Sequence, residues 1–482
     1  MNAFRLSIAA SAMALIAAGA TAQEAQVDDE VGGVYEGTFE NGLRHGTGTY
    51  RLPNGFEYSG EWVEGEIKGA GIARYVDGSI YEGMFAKGQP EGRGKIIYAD
   101  GGSYDGEWAD GAINGTGTAI YANGVRYEGG FQNARHHGKG VLSEPGGYSY
   151  DGDWVEGVKQ GKGKVTYANG SIYEGDIGNG QRHGQGSLTR PDGMTYVGDW
   201  VEDRITGTGR LAYVNGDLYE GELVDSRRQG KGKMTYAKGD VYEGDYANDL
   251  RHGKGTYTGT DGFLYTGEWT DGLLEGLGEV TYPDGSVHVG DFKADLAEGK
   301  GLITYPDGST YEGDWIAGVI EGEGVSTYPN GTVYRGQFKN AKTHGKGILT
   351  MADGSSYEGD WVDGLRQGNG LSTYPDGTTY SGEFLAGKRH GQGEIIMANG
   401  FTYSGEWTEG KITGEGTATY PNGDVYEGTF VDAKRHGAGT VRYANGETET
   451  GIWNNGTLTT ANDAAPEAAP ETAPSDSDNT DG

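Results

Sequence analysis

Cysteine is absent from all 482 residues. That excludes a disulfide framework, a thiolate metal centre, a thiol nucleophile and a lipid-modified cysteine. Apolar material is scarce as well: 34% of residues are hydrophobic, too few for a thick core of two packed layers. Past the first 22 residues, no stretch approaches the roughly 20 apolar residues that a membrane-spanning helix requires. Positive charge is short too, with 38 Lys and Arg against 71 Asp and Glu, a formal net charge of -33. Such a chain is repelled by nucleic acid, which is therefore set aside as a partner. What the chain has in quantity is glycine, 94 residues, and tyrosine, 33. Together they point to a thin sheet covered by aromatic rings.

The ends differ from the rest. Arg5 precedes a largely apolar run from Leu6 to Ala18, and Ala20-Thr21-Ala22 has the small-x-small pattern that signal peptidases cut. Residues 1–22 are expected to be a signal peptide cleaved after Ala22, and the protein to be exported, either periplasmic or secreted. Loss of Arg5 takes the net charge from -33 to -34. Residues 23–34 read as a linker. Residues 458–482 are rich in Pro and Ala, with six acids and no base, and are expected to form a disordered tail.

Between these ends, from 35 to 457, one phrase recurs nineteen times at a fixed interval of 23 residues, starting with Tyr35-Glu36-Gly37-Thr38-Phe39. With the Tyr of each unit numbered zero, Gly occupies position 2 in all nineteen units, and positions 11, 13 and 20 in all eighteen complete ones. Tyr fills position zero in seventeen, and His288 and Glu449 stand there in the other two. Side chains alternate across a strand, so positions 0, 2 and 4 share one face, and so do 11, 13, 15 and 17 on the return strand. Acids at position 3, such as Glu61, Asp153 and Asp360, are then assigned to the solvent face. Pro-Asn-Gly, Pro-Asp-Gly and Ala-Asn-Gly between units, and segments such as Asn41-Gly42 within them, supply the turns. The expected fold is all-β: an elongated, single-layer, twisted antiparallel meander of about 19 β-hairpins, a ribbon of roughly 180 Å at about 4.8 Å per strand. Glycine recurring on the aromatic face suggests recesses in which neighbouring Tyr or Trp rings lie flat on the backbone.

Tyr357-Glu358-Gly359-Asp360-Trp361 and Arg389-His390-Gly391-Gln392-Gly393 closely resemble the MORN repeat, and the resemblance runs from about 35 to 457. The resemblance, taken with the signal-peptide pattern, is read as that of an exported bacterial member of the family. It also implies the ribbon of hairpins already reasoned, and a scaffold concerned with protein binding, self-association or membrane-proximal assembly. The incomplete last unit reads as a terminal cap.

A second period overlies the first. All nine Trp sit at position 4 of alternate units, at Trp62, Trp108, Trp154 and Trp200, then Trp269, Trp315, Trp361, Trp407 and Trp453; the alternation slips by one unit near 219–264. This row is assigned to structure. In the intervening units position 10 carries His45, His137, His183, His252, His344, His390 and His436, commonly preceded by Arg, as in Arg44, Arg182, Arg251, Arg389 and Arg435, with Arg135 nearby in the unit of His137. Duplication of a two-unit block accounts for the alternation, and a basic binding edge is compatible with it. Such an edge would gain charge as pH falls through the ordinary histidine range.

These His are roughly 19 Å apart along the meander, too far to share a metal ion, and the adjacent His136 and His137 point to opposite faces. The Ca-loop signature is missing. Gly-x-Gly, as in Gly161-Lys162-Gly163, opens no helix and is no phosphate loop. No catalytic residue, cofactor or metal is assigned, and the chain is read as no enzyme. Two readings remain: a cell-envelope scaffold that binds proteins or itself, or a binder of glycans or of lipid headgroups at the membrane surface, working through free aromatic faces or the Arg/His edge. Rings wedged onto glycine favour the first, and rings standing free favour the second.

Overall fold

The computed structural model describes residues 25–28 and 31–461. The expected signal peptide, and the expected tail from residue 462 onward, lie outside the described residues. The described residues form 39 strands and no helix. The chain divides into two units, the first ending at Leu250 and the second beginning at Arg251, within the stretch where the Trp alternation slips. In the first unit, each strand from Val34–Glu40 to Val241–Ala247 pairs antiparallel with its neighbours in the chain. The second unit repeats this from Leu250–Thr258 to Thr457–Ala461. Each is a meander with no crossover, as the hairpin repeats require.

Two segments outside the complete repeats join the sheets. Ala25–Asp28, inside the stretch read as a linker, pairs antiparallel with Val34–Glu40. Thr457–Ala461 extends the last hairpin into the stretch read as a tail.

One register recurs from hairpin to hairpin. In the hairpin Glu57–Val63 with Glu66–Arg74, Tyr58 faces Ala73, Gly60 faces Gly71 and Trp62 faces Ile67. One residue, Glu61, is thus opposed by three, Lys68 to Ala70. This β-bulge recurs in successive hairpins, and Gly at position 11 sits in it with positive φ, as at Gly69 (98°). The bulge corrects the expected face assignment. Within the hairpin it moves position 9, and not 11, opposite the aromatic at position 4, while Gly at position 11 faces the aromatic of the following unit, as Gly46 faces Trp62.

Two turn types close the meander. Within a unit, positions 6 and 7 both have positive φ, as in Glu64 (52°) and Gly65 (88°), the pattern of the two-residue type I′ turn that suits twisted strands. Between units, the Gly78 N–H donates to the Tyr75 carbonyl, the Tyr75 N–H donates to the Ser79 carbonyl, and Gly78 has φ 91°. This is a type I turn followed by a left-handed Gly, and the Asp77 carboxylate secures it by accepting from the Ser79 N–H. In several units position 7 is not glycine: Ala134, Ala341 and Ala433 have φ 59°, 60° and 62°. A left-handed L-residue costs roughly 1–2 kcal/mol. Replacing all three by Gly should stabilise the protein by about 1 kcal/mol per site, once the extra freedom of glycine in the unfolded chain is counted, and so raise the thermal midpoint. An unchanged or lower midpoint would contradict this reading.

Candidate functional site

The aromatic face is built on glycine. Tyr at position 0 lies along its own strand, over Gly at position 2 and over Gly at position 13 of the return strand. A Cβ on Gly71 would meet the Tyr58 ring at 2.5 Å, and one on Gly60 would meet its hydroxyl. The hydroxyl donates to the carbonyl of position 3, as from Tyr58 to Glu61 at 3.0 Å and from Tyr357 to Asp360 at 3.0 Å. Burial pushes the Tyr357 phenol up to about 12.

The ring at position 4 packs edge-on to the Tyr of its own unit and to the Tyr of the unit before. Trp62 lies 5.5 Å from Tyr58 and 5.1 Å from Tyr35. Each Trp Nε1–H donates to the carbonyl of the Gly at position 13 in the preceding unit, as in Trp154 to Gly140 and Trp407 to Gly393. All nine Trp are 2–8% exposed. Hairpin therefore joins hairpin by ring packing and an indole hydrogen bond, and this spine takes the place of a second layer.

The Arg residues of the candidate edge lie on this same face. Arg44, Arg182, Arg251, Arg389 and Arg435 occupy position 9, and each guanidinium stacks on the Trp of the following unit, at 5.1, 4.2, 4.1, 5.1 and 4.1 Å. This contact gives the two-unit period a physical content: five of the nine Trp carry an Arg lid from the hairpin before. At the slip, Arg228 stacks on Tyr246 at 5.2 Å instead. Arg135, at position 8, is exposed and lies 3.6 Å from Glu156.

The His residues at position 10 lie beside the type I′ turn of the next unit. In most of the other units that position holds an acceptor for the first turn N–H, as Glu91 does for Asp110 at 2.9 Å and Gln160 for Asn179 at 2.9 Å. His45 and His344 reach the corresponding N–H of Glu64 and Asp363 through Nδ1, at 3.5 Å. The Nδ1 atoms of His137 and His436 are buried without a hydrogen-bond partner, and that of His252 lies 4.0 Å from a carboxylate oxygen of Asp271. His183 and His390 hold the same sequence position. In the Arg44–His45 pair the structure thus sets the two residues to different tasks, a ring lid and a turn contact. Among the described residues no three His, Asp or Glu side chains are grouped to hold a metal.

The bulge also gives the outward acids a role that the sequence pattern did not disclose. The carboxylate at position 3 accepts the N–H of position 12 that the bulge frees, as Asp153 does from Lys162 at 3.1 Å and Asp314 from Glu323 at 2.9 Å. The same carboxylates pair with the Lys at position 12 of the preceding unit: Lys139 with Asp153 at 2.7 Å, and Lys300 with Asp314 at 2.5 Å. The hydrogen bond from that Lys holds each carboxyl below its ordinary range.

Two histidines lie within the spine. His136 takes the Arg position, stacked on Tyr127 at 3.6 Å, and burial lowers its pKa to about 4. His288 takes the Tyr position, is 1% exposed with both ring nitrogens unpartnered, and is likewise held neutral by burial. A histidine with a depressed folded pKa binds protons better when unfolded, so the stability it supports is present above about pH 6.5 and is lost as pH falls through the folded value. His288→Tyr should stabilise by about 1–3 kcal/mol, because the hydroxyl can donate to Asp291 as in the other units. Combined with His136→Arg, it should flatten the stability loss between about pH 6.5 and 4, read from urea midpoints across that range. An acid limb identical to that of the unchanged protein would refute the assignment.

Fold and spine together define a tandem β-hairpin repeat protein. The model of the MORN repeat matches it eighteen times, from residues 35–56 through to 426–448. The chain belongs to the MORN repeat family, and as such is a repeat scaffold. Alsin of Rattus norvegicus is 46% identical over 52 residues, 10% of this chain and 3% of that protein's length. Among solved structures, the TCP domain of Drosophila melanogaster SAS-4, in complex with a proline-rich motif of Ana2, is 18% identical, covering 37% of this chain and 90% of that chain, with a TM-score of 0.22. The TCP10 domain of Danio rerio CPAP, in complex with a STIL peptide, is 15% identical, covering 52% and 97%, with a TM-score of 0.20. At these scores neither bears on the fold or the partners.

Proposed function

We propose that this MORN array is a non-catalytic scaffold of the cell envelope, exported by its N-terminal segment, which gathers protein partners on its outward surface. The observation that supports this most is the burial of all nine Trp in the spine. Rings engaged with glycine backbone, carbonyls and guanidinium groups have little face left to stack on sugar. The partner then meets rows of outward side chains repeated hairpin after hairpin. At the turn edge, contact falls to exposed members such as Arg135 and His183, because the guanidinium groups of the other paired Arg are engaged with rings.

The test is cross-linking of the full chain in an envelope extract, followed by mass spectrometry. A discrete set of proteins linked through outward residues is the expected result. Recovery of glycan or lipid alone would contradict the scaffold.

A further inference from the structure

The outward faces of the two units differ along one line, formed by position 14 of each return strand and position 1 of the strand after it. In the first unit this line is mixed: Ile72, Val141 and Val197 are exposed on it but stand singly, between polar and charged residues. Lys95, Lys164, Arg210 and Lys233 stand at position 14, and Lys164 pairs with Glu174 at 2.7 Å and Arg210 with Glu220 at 3.6 Å. In the second unit four consecutive hairpins carry Leu302, Val325, Ile348 and Leu371 at that position, and Val289 faces Leu302 across the strands. Val289 is 46% exposed and Leu302, Ile348 and Leu371 are 39–42% exposed. Between them lie Glu312, Arg335 and Glu358, which form no ion pair among the described residues. What sets the second unit apart is continuity: an aliphatic side chain recurs every second strand over four hairpins on an open sheet face, where Lys164 and Arg210 of the first unit form ion pairs.

We propose that this line, from Val289 to Leu371, is the docking track for an extended, net-basic segment of a partner protein in the polyproline II conformation, with an aliphatic residue at every third position. The proposal rests on the scaffold reading and names its partner's chemistry. Spacing is the first ground. One hairpin advances the line by two strands, about 9.6 Å, and three polyproline II residues advance about 9.3 Å. Seven residues of α-helix advance about 10.5 Å, so over the three intervals from Leu302 to Leu371 a helix drifts by about 2.7 Å and a polyproline II segment by about 0.9 Å. Side chains of a β-strand return to one face every two residues, about 6.6 Å, and do not match.

Charge is the second ground. Along this line and the adjacent row of positions 3 and 12, between Leu277 and Leu371, seven acids stand against three bases. A second copy of the chain would bring two acidic faces together, whereas Lys or Arg beside the aliphatic residues of the partner would meet Glu312 and Glu358.

The first unit supplies variants that should fold, since Lys and Ser stand at its own position 14, at Lys95, Lys164 and Ser187. The probe is a fluorescein-labelled peptide of repeated Leu-Pro-Lys, titrated against the full chain at 150 mM salt. Its controls are a scrambled peptide of the same composition and a helical peptide of the same charge with Leu at every seventh residue. Leu302→Lys, Ile348→Lys and Leu371→Lys together should weaken binding at least tenfold with an unchanged unfolding midpoint. The same three positions changed to Ser should weaken it as well, while Val141→Lys in the first unit should not.

Equal binding by the variants, no binding by the unchanged chain, or equal binding of either control peptide would each overturn the proposal. So would a concentration-dependent dimer of the unchanged chain, seen in sedimentation and lost in the Lys variant, because a second copy would then cover the line. If cross-linking captures protein partners only at other surfaces, this proposal falls and the scaffold stands. If it captures none, the scaffold itself falls.

Discussion

Gly370→Ala should destabilise the protein by about 3 kcal/mol. The new Cβ would lie 2.4 Å from Cε2 of Tyr357 and 2.5 Å from its hydroxyl oxygen. The ring has nowhere to go: Trp361 stands at 5.2 Å on one side and Phe384 at 5.0 Å on another, and its hydroxyl is bound to the Asp360 carbonyl. Relief requires the strand to shift or the Tyr to leave a site where it is 1% exposed. Because each hairpin is held mainly by its neighbours, either outcome weakens both adjoining interfaces. Gly377→Ala is the control. It lies in a turn with φ 87° and open space around it, so only backbone strain of roughly 1–2 kcal/mol applies. Urea midpoints that fall equally for the two variants would remove glycine-on-tyrosine packing as the basis of the core.

Trp200→Ala should cost about 3–5 kcal/mol, the usual loss for a fully buried indole. Trp200 is 2% exposed, donates to the Gly186 carbonyl at 3.2 Å, and packs on Tyr173 at 5.3 Å and Tyr196 at 5.5 Å. Arg182 covers it at 4.2 Å while its guanidinium also reaches Asp203, at 3.0 Å. A double-mutant cycle of Arg182→Ala with Trp200→Ala should return a coupling of about 1 kcal/mol. A coupling near zero would mean that the pairing of Arg with the next Trp is a trace of duplication and not a contact that stabilises the array.

Much of this is legible in the sequence. The 23-residue period, the alternation of Tyr58, Gly60 and Trp62, and turn residues such as Asn41-Gly42 lead directly to an antiparallel meander of hairpins, and glycine on the aromatic face leads to rings lying on backbone. What escaped was the bulge. Gly69 reads as one more small residue on the inner face, but its positive φ lets three residues stand opposite Glu61. That local slip carries Arg44 and Arg182 inward onto indole rings, and it gives the acids at position 3 a freed N–H to accept. The signal was present in Gly fixed at position 11 together with an acid at position 3, two features whose joint meaning depends on backbone geometry. Pairing of Ala25–Asp28 had no signal at all, because a four-residue strand outside the repeat has no period to announce it.

Whether the Trp row is structure or surface separates a scaffold from an aromatic binding face. Hydrogen exchange of the nine indole N–H groups, followed by NMR in the full chain, measures this directly. Each Nε1–H is bound to a glycine carbonyl in a buried spine, so all nine should be protected far beyond free tryptophan, with those near the ends of the array exchanging first. Exchange of the row within the dead time would show rings standing free in solvent, and would turn the array from a scaffold held together by its aromatics into a binding surface made of them.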